Sequence, residues 1–159
     1  FLGGAQIDKY GNLNSHVIGD YYNPTVRFAG SGGANDLGSG CKRTIIMMPH
    51  SKRRFVEKVD FVTTPGYLTG GDDRAKLGFP GDGPSIVISN LGILRFHPDT
   101  KEMYVESLHP GVTVETIKEN TGWDLKIADA LQETPVPTRE EIRILREELD
   151  PDGLFLKKE

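Results

Sequence analysis

The chain has 159 residues, 36% of them hydrophobic and 26% charged, with a formal net charge of −4. That length supports one domain with a real core rather than two, and the composition is that of a globular protein. The small net charge argues against a generic affinity for nucleic acid or an anionic membrane, and no apolar run approaches the roughly 20 residues that span a bilayer. A single cysteine, Cys41, excludes an internal disulfide or a cysteine-built metal site and points to a reducing compartment, so the expected location is cytoplasmic.

The first residues, Phe1-Leu2-Gly3-Gly4, begin without Met inside an apolar strand pattern, so the expectation is the C-terminal portion of a longer polypeptide. Phe1–Ile7 leads into the turn signature Asp8-Lys9-Tyr10-Gly11-Asn12, with a second strand over Leu13–Ile18. Residues 28–40, FAGSGGANDLGSG, hold five glycines and two alanines in thirteen positions and read as a loop. Thr44–Met48, TIIMM, carries no charge and stops at Pro49, the pattern of a strand buried on both faces. Ser51–Lys58 is basic and short, irregular or a single helical turn, and Val59–Thr63 alternates like a strand before Pro65.

Residues 65–85 contain six glycines and three prolines, and a loop of that length inside a domain is functional or disordered. Strands follow at Ser85–Ile88, Gly92–Phe96 and Met103–Leu108. Thr113 caps a helix to about Asn120, with Gly122 just beyond it. A stiff connector, Glu133-Thr134-Pro135-Val136-Pro137, precedes a last helix with a Thr138/Glu141 capping box. Its apolar stripe is Ile142, Leu145 and Leu149, and Asp150-Pro151-Asp152-Gly153 ends it. The expected fold is α/β, an open mixed or parallel sheet with flanking helices.

Among candidate sites, Gly30-Ser31-Gly32-Gly33-Ala34 stands out, because adjacent glycines admit positive φ and successive N–H groups can cradle an anion. A plain surface turn fits the same composition. The loop is neither a phosphate-binding Walker loop nor a dinucleotide fingerprint. His16, His50, His97 and His109 lack metal-ligand spacing; His50 closes the TIIMM strand, as a site residue or as a hydrogen-bonded structural one. Cys41 lies beside Lys42 and Arg43, where a thiolate would be favoured, although a half-buried free thiol is the plainer reading. Lys52-Arg53-Arg54 is either a contact for phosphates or a solvated face. Asp72-Asp73 and Glu140-Glu141 show no sign of a catalytic carboxylate pair, and no nucleophile with its base emerges.

Taken collinearly, FLGGAQIDKYGNLNSHVIGDYY at 1–22, RFAGSGGAND at 27–36, TIIMMPHSKRRFVEKVDFVTTPGY at 44–67, GFPGDGPSIVISNLGILRF, ENTGWDL and IRILREELDP resemble the class I CoA-transferases, and within them the β subunits that act on glutaconate. The resemblance spans essentially the whole chain. It implies the CoA-transferase fold, an α-subunit partner in a hetero-oligomer, an acyl-CoA and a carboxylic acid as substrates, and no permanently bound cofactor or metal. It also implies that a glutamate takes CoA from the acyl-CoA as an enzyme-bound thioester. Gly32 and Gly33 would then donate to the oxyanion, with Gly30, Ser31, Ala34 and Asn35 against the substrate. The family's nucleophilic glutamate, in a Glu-Ser-Gly or Glu-Asn-Gly motif, is absent from these residues, and Glu57 and Glu102 stand in other contexts. Related proteins without that glutamate decarboxylate, or open a ring by hydrolysis; SLHPGVT at 107–113 resembles the ring-opening branch. A half-domain that only completes an oligomer is the remaining alternative.

Overall fold

The computed structural model describes residues 1–155. Two hairpins lead the chain. β1 (Gln6–Ile7) pairs antiparallel with β2 (Leu13–Asn14), and β3 (Val17–Gly19) pairs antiparallel with β4 (Pro24–Arg27). The first turn is built on the Asp8 carboxylate, which accepts from the Tyr10 and Asn12 amides at 3.0 and 3.1 Å. Gly11 sits there at φ +72°, and a Cβ would meet the Phe96 ring at 2.8 Å, so the turn is tied to the main sheet as well.

That sheet has five strands: β5 (Thr44–Met47), β6 (Pro84–Ile88), β7 (Gly92–Phe96), β8 (Met103–Leu108) and β9 (Lys126–Glu133), in that spatial order. The outer pairs β5–β6 and β8–β9 are parallel, and the inner pairs β6–β7 and β7–β8 are antiparallel. The mixed sheet agrees with the α/β expectation. Parallel neighbours need crossovers, supplied by the long 65–85 segment and by α3 (Val114–Glu119). The fully buried Ile7, Leu13, Ile46, Phe55, Leu94 and Val105 join the first hairpin, β5 and the sheet centre in one core.

Four elements depart from expectation. TIIMM is not buried on both faces: Thr44, Ile46 and Met48 face the core, while Met47 is 51% exposed. β5 is an edge strand, with only the Leu2–Ile46 bridge beyond it, and the face that carries Met47 is open, unlike that of a central parallel strand. Val59–Thr63 forms no strand; its end makes one bridge, Leu13 to Thr64, and its polar groups go elsewhere, Asp60 to Gln6 and Gly19, and Thr63 to Ser15, His16 and Asn35. Lys126–Glu133, where no element is expected, is β9, because β8 offers it a parallel edge. The last helix keeps its capping box but is α-helical only over α4 (Arg139–Arg143); Ile144–Leu149 continues in wider π-helical turns. The apolar stripe therefore drifts, and Leu149 is 69% exposed.

The glycine-rich stretch contains α1 (Ala34–Gly40), a helix unforeseen in a segment this poor in helix formers. Tertiary contact explains it. Thr64 packs onto Gly38 so closely that a Cβ there would lie 2.2 Å from the Thr64 methyl. Glycine in a helix interior ordinarily costs about 1 kcal/mol against alanine. Gly38→Ala is accordingly expected to destabilise the fold by about 1–3 kcal/mol by overpacking, opposite in sign to its helix propensity. Urea unfolding of the two proteins checks the sign.

Candidate functional site

The glycine loop is held from behind by the chain that precedes it. Ser15 donates its hydroxyl to the Gly30 carbonyl at 3.1 Å, and the Phe28 amide donates to His16 O at 2.8 Å. The His16 ring pairs through Nδ1 with Thr63 Oγ1 at 2.8 Å and lies under Gly30, whose φ of +103° leaves no side chain over it. Asn35 Nδ2 donates to Thr63 O at 2.9 Å, fastening the start of α1 to the same residue. The exposed crest is Gly32 and Gly33. Gly32 has φ +51°, a Cβ on either would meet nothing within 4 Å, and neither amide bonds to any described residue. The Ala34 amide is occupied by Ser31 O, and the Asn35 side chain by Thr63, so neither of those donors is free as the Gly32 and Gly33 amides are.

The far end of α1 is gripped by Arg74, on the short helix α2 (Asp73–Lys76). The guanidinium is buried and donates to five carbonyls: Gly38 and Ser39 at 2.7 and 3.1 Å, Pro65 and Gly66 at 3.2 and 3.0 Å, and Gly81 at 2.8 Å. Gly38 and Ser39 are among the last carbonyls of α1, which have no partner within the helix. Gly81 meets Cys41 O so closely that any Cβ would collide. The 65–85 loop is thus an ordered clamp. Nothing in the local sequence marks Arg74 for this task; its position two residues into a charged run reads as surface.

The other sequence candidates disperse. His50 is 5% exposed, stacked on Phe55 with ring centroids 3.6 Å apart, and paired to Ser89 Oγ at 3.1 Å and Thr121 Oγ1 at 3.0 Å. Burial lowers its pKa from 6.5 to about 4, so it is a neutral structural imidazole. His97 Nδ1 accepts from the Asp99 amide in a turn, and His109 Nε2 donates to Ser89 O. Cys41 is the half-buried C-cap of α1. Asp72 pairs with Lys76, and Asp73 accepts from the Thr69 hydroxyl. Glu102 faces Lys126 at the sheet edge, and Glu57 lines a cleft beside the Asp8 turn. Among the described residues, no group of three or more His, Cys, Asp or Glu could hold a metal, and no helix is long and apolar enough to cross a membrane.

The coenzyme A transferase family profile matches residues 1–120, and the chain belongs to that family. It is 49% identical to the β subunit of the glutaconate CoA-transferase of Acidaminococcus fermentans, over 99% of this chain and 59% of that protein. The crystal structure of that glutaconate coenzyme A-transferase superposes with a TM-score of 0.93 at 48% identity, covering 100% of this chain and 61% of the other. The β subunit of the 3-oxoadipate CoA-transferase of Pseudomonas knackmussii is 46% identical over 92% of this chain and 56% of that protein. The Rhodococcus jostii IpdAB structure follows with a TM-score of 0.84 at 33% identity, over 96% of this chain and 60% of the other. The chain thus spans about three fifths of the length of these relatives.

Arg74→Met leaves five carbonyls without their donor and is expected to cost at least about 3 kcal/mol, with Arg74→Lys recovering only part of it; chemical denaturation measures both. His50 sets a pH dependence. Its folded pKa lies below its unfolded one, so its stabilising contribution is complete above pH 6.5 and is lost as pH falls toward 4. The loss amounts to about 3 kcal/mol. Denaturation midpoints across that window should fall more steeply for the parent than for His50→Gln.

Proposed function

We propose that residues 1–159 form one domain of a CoA-transferase β subunit that works with an α subunit in a cytoplasmic hetero-oligomer. The reaction moves CoA from an acyl-CoA to a carboxylic acid, with glutaconate or another dicarboxylate as the acid. A carboxylate supplied from outside these residues attacks the thioester carbonyl, giving a mixed anhydride and releasing CoA thiolate. The thiolate adds back to form an enzyme-bound glutamyl thioester and frees the first acid; the same steps in reverse deliver CoA to the second acid. CoA thioester is therefore substrate, and no resident cofactor takes part. Each step passes through a tetrahedral oxyanion, which Gly32 and Gly33 are placed to receive, with Gly30, Ser31, Ala34 and Asn35 shaping the loop around it.

The observation that carries this reading is the pair of exposed, unpaired amides at Gly32 and Gly33 on a loop fastened at Gly30, Ala34 and Asn35. Higher identity to the two transferase subunits than to the ring-cleaving hydrolase subunit favours transfer over hydrolysis. The test uses the full-length subunit assembled with its partner. Gly33 has φ −84° and open space around it, so Gly33→Ala leaves stability unchanged while putting a methyl beside the free amide. Turnover is expected to fall by about 10²-fold. Gly32→Val adds the strain of a β-branched residue at positive φ, about 1–2 kcal/mol, and should lower turnover far more than it lowers stability. Near-normal CoA exchange in both variants would remove the oxyanion role from this loop.

A further inference from the structure

A groove of about 420 Å³ runs between the second hairpin and the segment that leaves β5, lined by Ala5, Ile18, Val26, Phe28, Arg53 and Arg54. Four of its lining side chains are apolar and two are arginines. Arg54 is half-buried and anchored by a 3.3 Å bond from Nη1 to Gly4 O, while the Arg53 side chain is exposed and makes no ion pair or hydrogen bond with any described residue. No carboxylate among the described residues forms an ion pair with either arginine. A concave apolar wall with guanidinium groups beside it is complementary to an anion carried on a short carbon chain.

Its place in the topology joins it to the glycine loop. The C-terminal end of α1 lies against Gly81, and β5 begins beside Gly83 with the Thr44 amide on its carbonyl at 3.1 Å. The chain then runs along β5 and leaves its carboxyl end at Met48–Arg54, where the arginines of the groove lie. In open α/β sheets ligands gather at that carboxyl end of the strands. Phe28, on the groove wall, stands two residues before Gly30, within about 7 Å along the chain.

We infer that this groove is a substrate subsite in which Ala5, Ile18, Val26 and Phe28 hold a carbon chain while Arg53 and Arg54 bind the anionic group at its end. The inference rests on the transferase reading. Two parts of an acyl-CoA have this chemistry: the far carboxylate of a dicarboxylic acyl group, and a phosphate at the end of the pantetheine arm.

The experiment measures CoA transfer by the full-length, partnered protein as parent, Arg53→Gln and Arg53→Gln/Arg54→Gln, with Lys52→Gln as a control of charge equal to the single variant. Donors are glutaryl-CoA, butyryl-CoA and glutaryl-pantetheine, alongside calorimetric titrations of glutarate and of CoA. If the carboxylate is the occupant, KM for glutaryl-CoA rises about tenfold or more in the arginine variants, KM for butyryl-CoA does not move, and glutarate binding weakens in step. If a phosphate is the occupant, KM rises for both CoA donors, stays put for glutaryl-pantetheine, and CoA binding weakens. Arginine variants that match the Lys52→Gln control on all donors and both titrations would overturn the subsite. A parent protein that transfers no CoA overturns the transferase reading, and the titrations then still report on the groove.

Discussion

A single buried cation holds the two halves of the candidate site in register. Taking a guanidinium out of water costs several kcal/mol, and no carboxylate pairs directly with Arg74, Asp82 acting on it only from a distance. Five carbonyl oxygens take its donors instead, converging from three segments far apart in sequence. Two belong to the end of α1, where the helix dipole is negative and the carbonyls have no helical partner. The others belong to the Pro65-Gly66 corner and to Gly81. One side chain therefore caps a weak helix, orders a long glycine-rich loop, and fixes the point where β5 enters the sheet.

Thr63 plays the matching part at the start of α1: its Oγ1 accepts from the Ser15 amide and meets the His16 ring, and its carbonyl takes the Asn35 side chain. Thr64 adds to the Arg74 end, where its methyl fills the space that Gly38 leaves. The loop from Gly30 to Gly33 lies between the fastenings at Gly30 and Asn35. Its flanks are rigid through hydrogen bonds and steric fit, and its crest keeps two amides without internal partners. Buried amides are nearly always paired, whereas exposed ones on a fixed backbone are available to a ligand without reorganisation.

How far this was legible in the sequence depended on the range of the interactions. The antiparallel β6–β8 meander and the Thr113 and Thr138 caps are local: strand alternation, short turns and capping side chains act within a few residues, and the structure reproduces them. α1, β4 and β9 are set by partners elsewhere. ANDLGSG has little tendency to be helical until Thr64 and Arg74 enclose it, PTVR becomes a strand only against β3, and KIADALQE only against the parallel edge of β8. Val59–Thr63 failed for the converse reason, since its alternating pattern was real but its polar groups were committed to side-chain contacts rather than a ladder.

The glycine loop shows the same division at the level of the site. Composition placed backbone freedom at 30–34 but could not separate a linker from a cradle, because both need glycine and differ only in what fixes the flanks. The fixing residues, Ser15, Thr63 and Arg74, carry no motif; a serine after a turn, a threonine before a proline and an arginine in a charged run are ordinary singly. Their meaning is tertiary. It follows that substitutions around this site divide into two kinds. Changes at Thr63, Thr64 or Arg74 act through the fold, loosening the frame that holds the amides. Changes at Gly32 or Gly33 act on the crest itself, where a side chain meets only open space. A site built this way separates the frame, on which stability depends, from the crest, at positions close together in the chain.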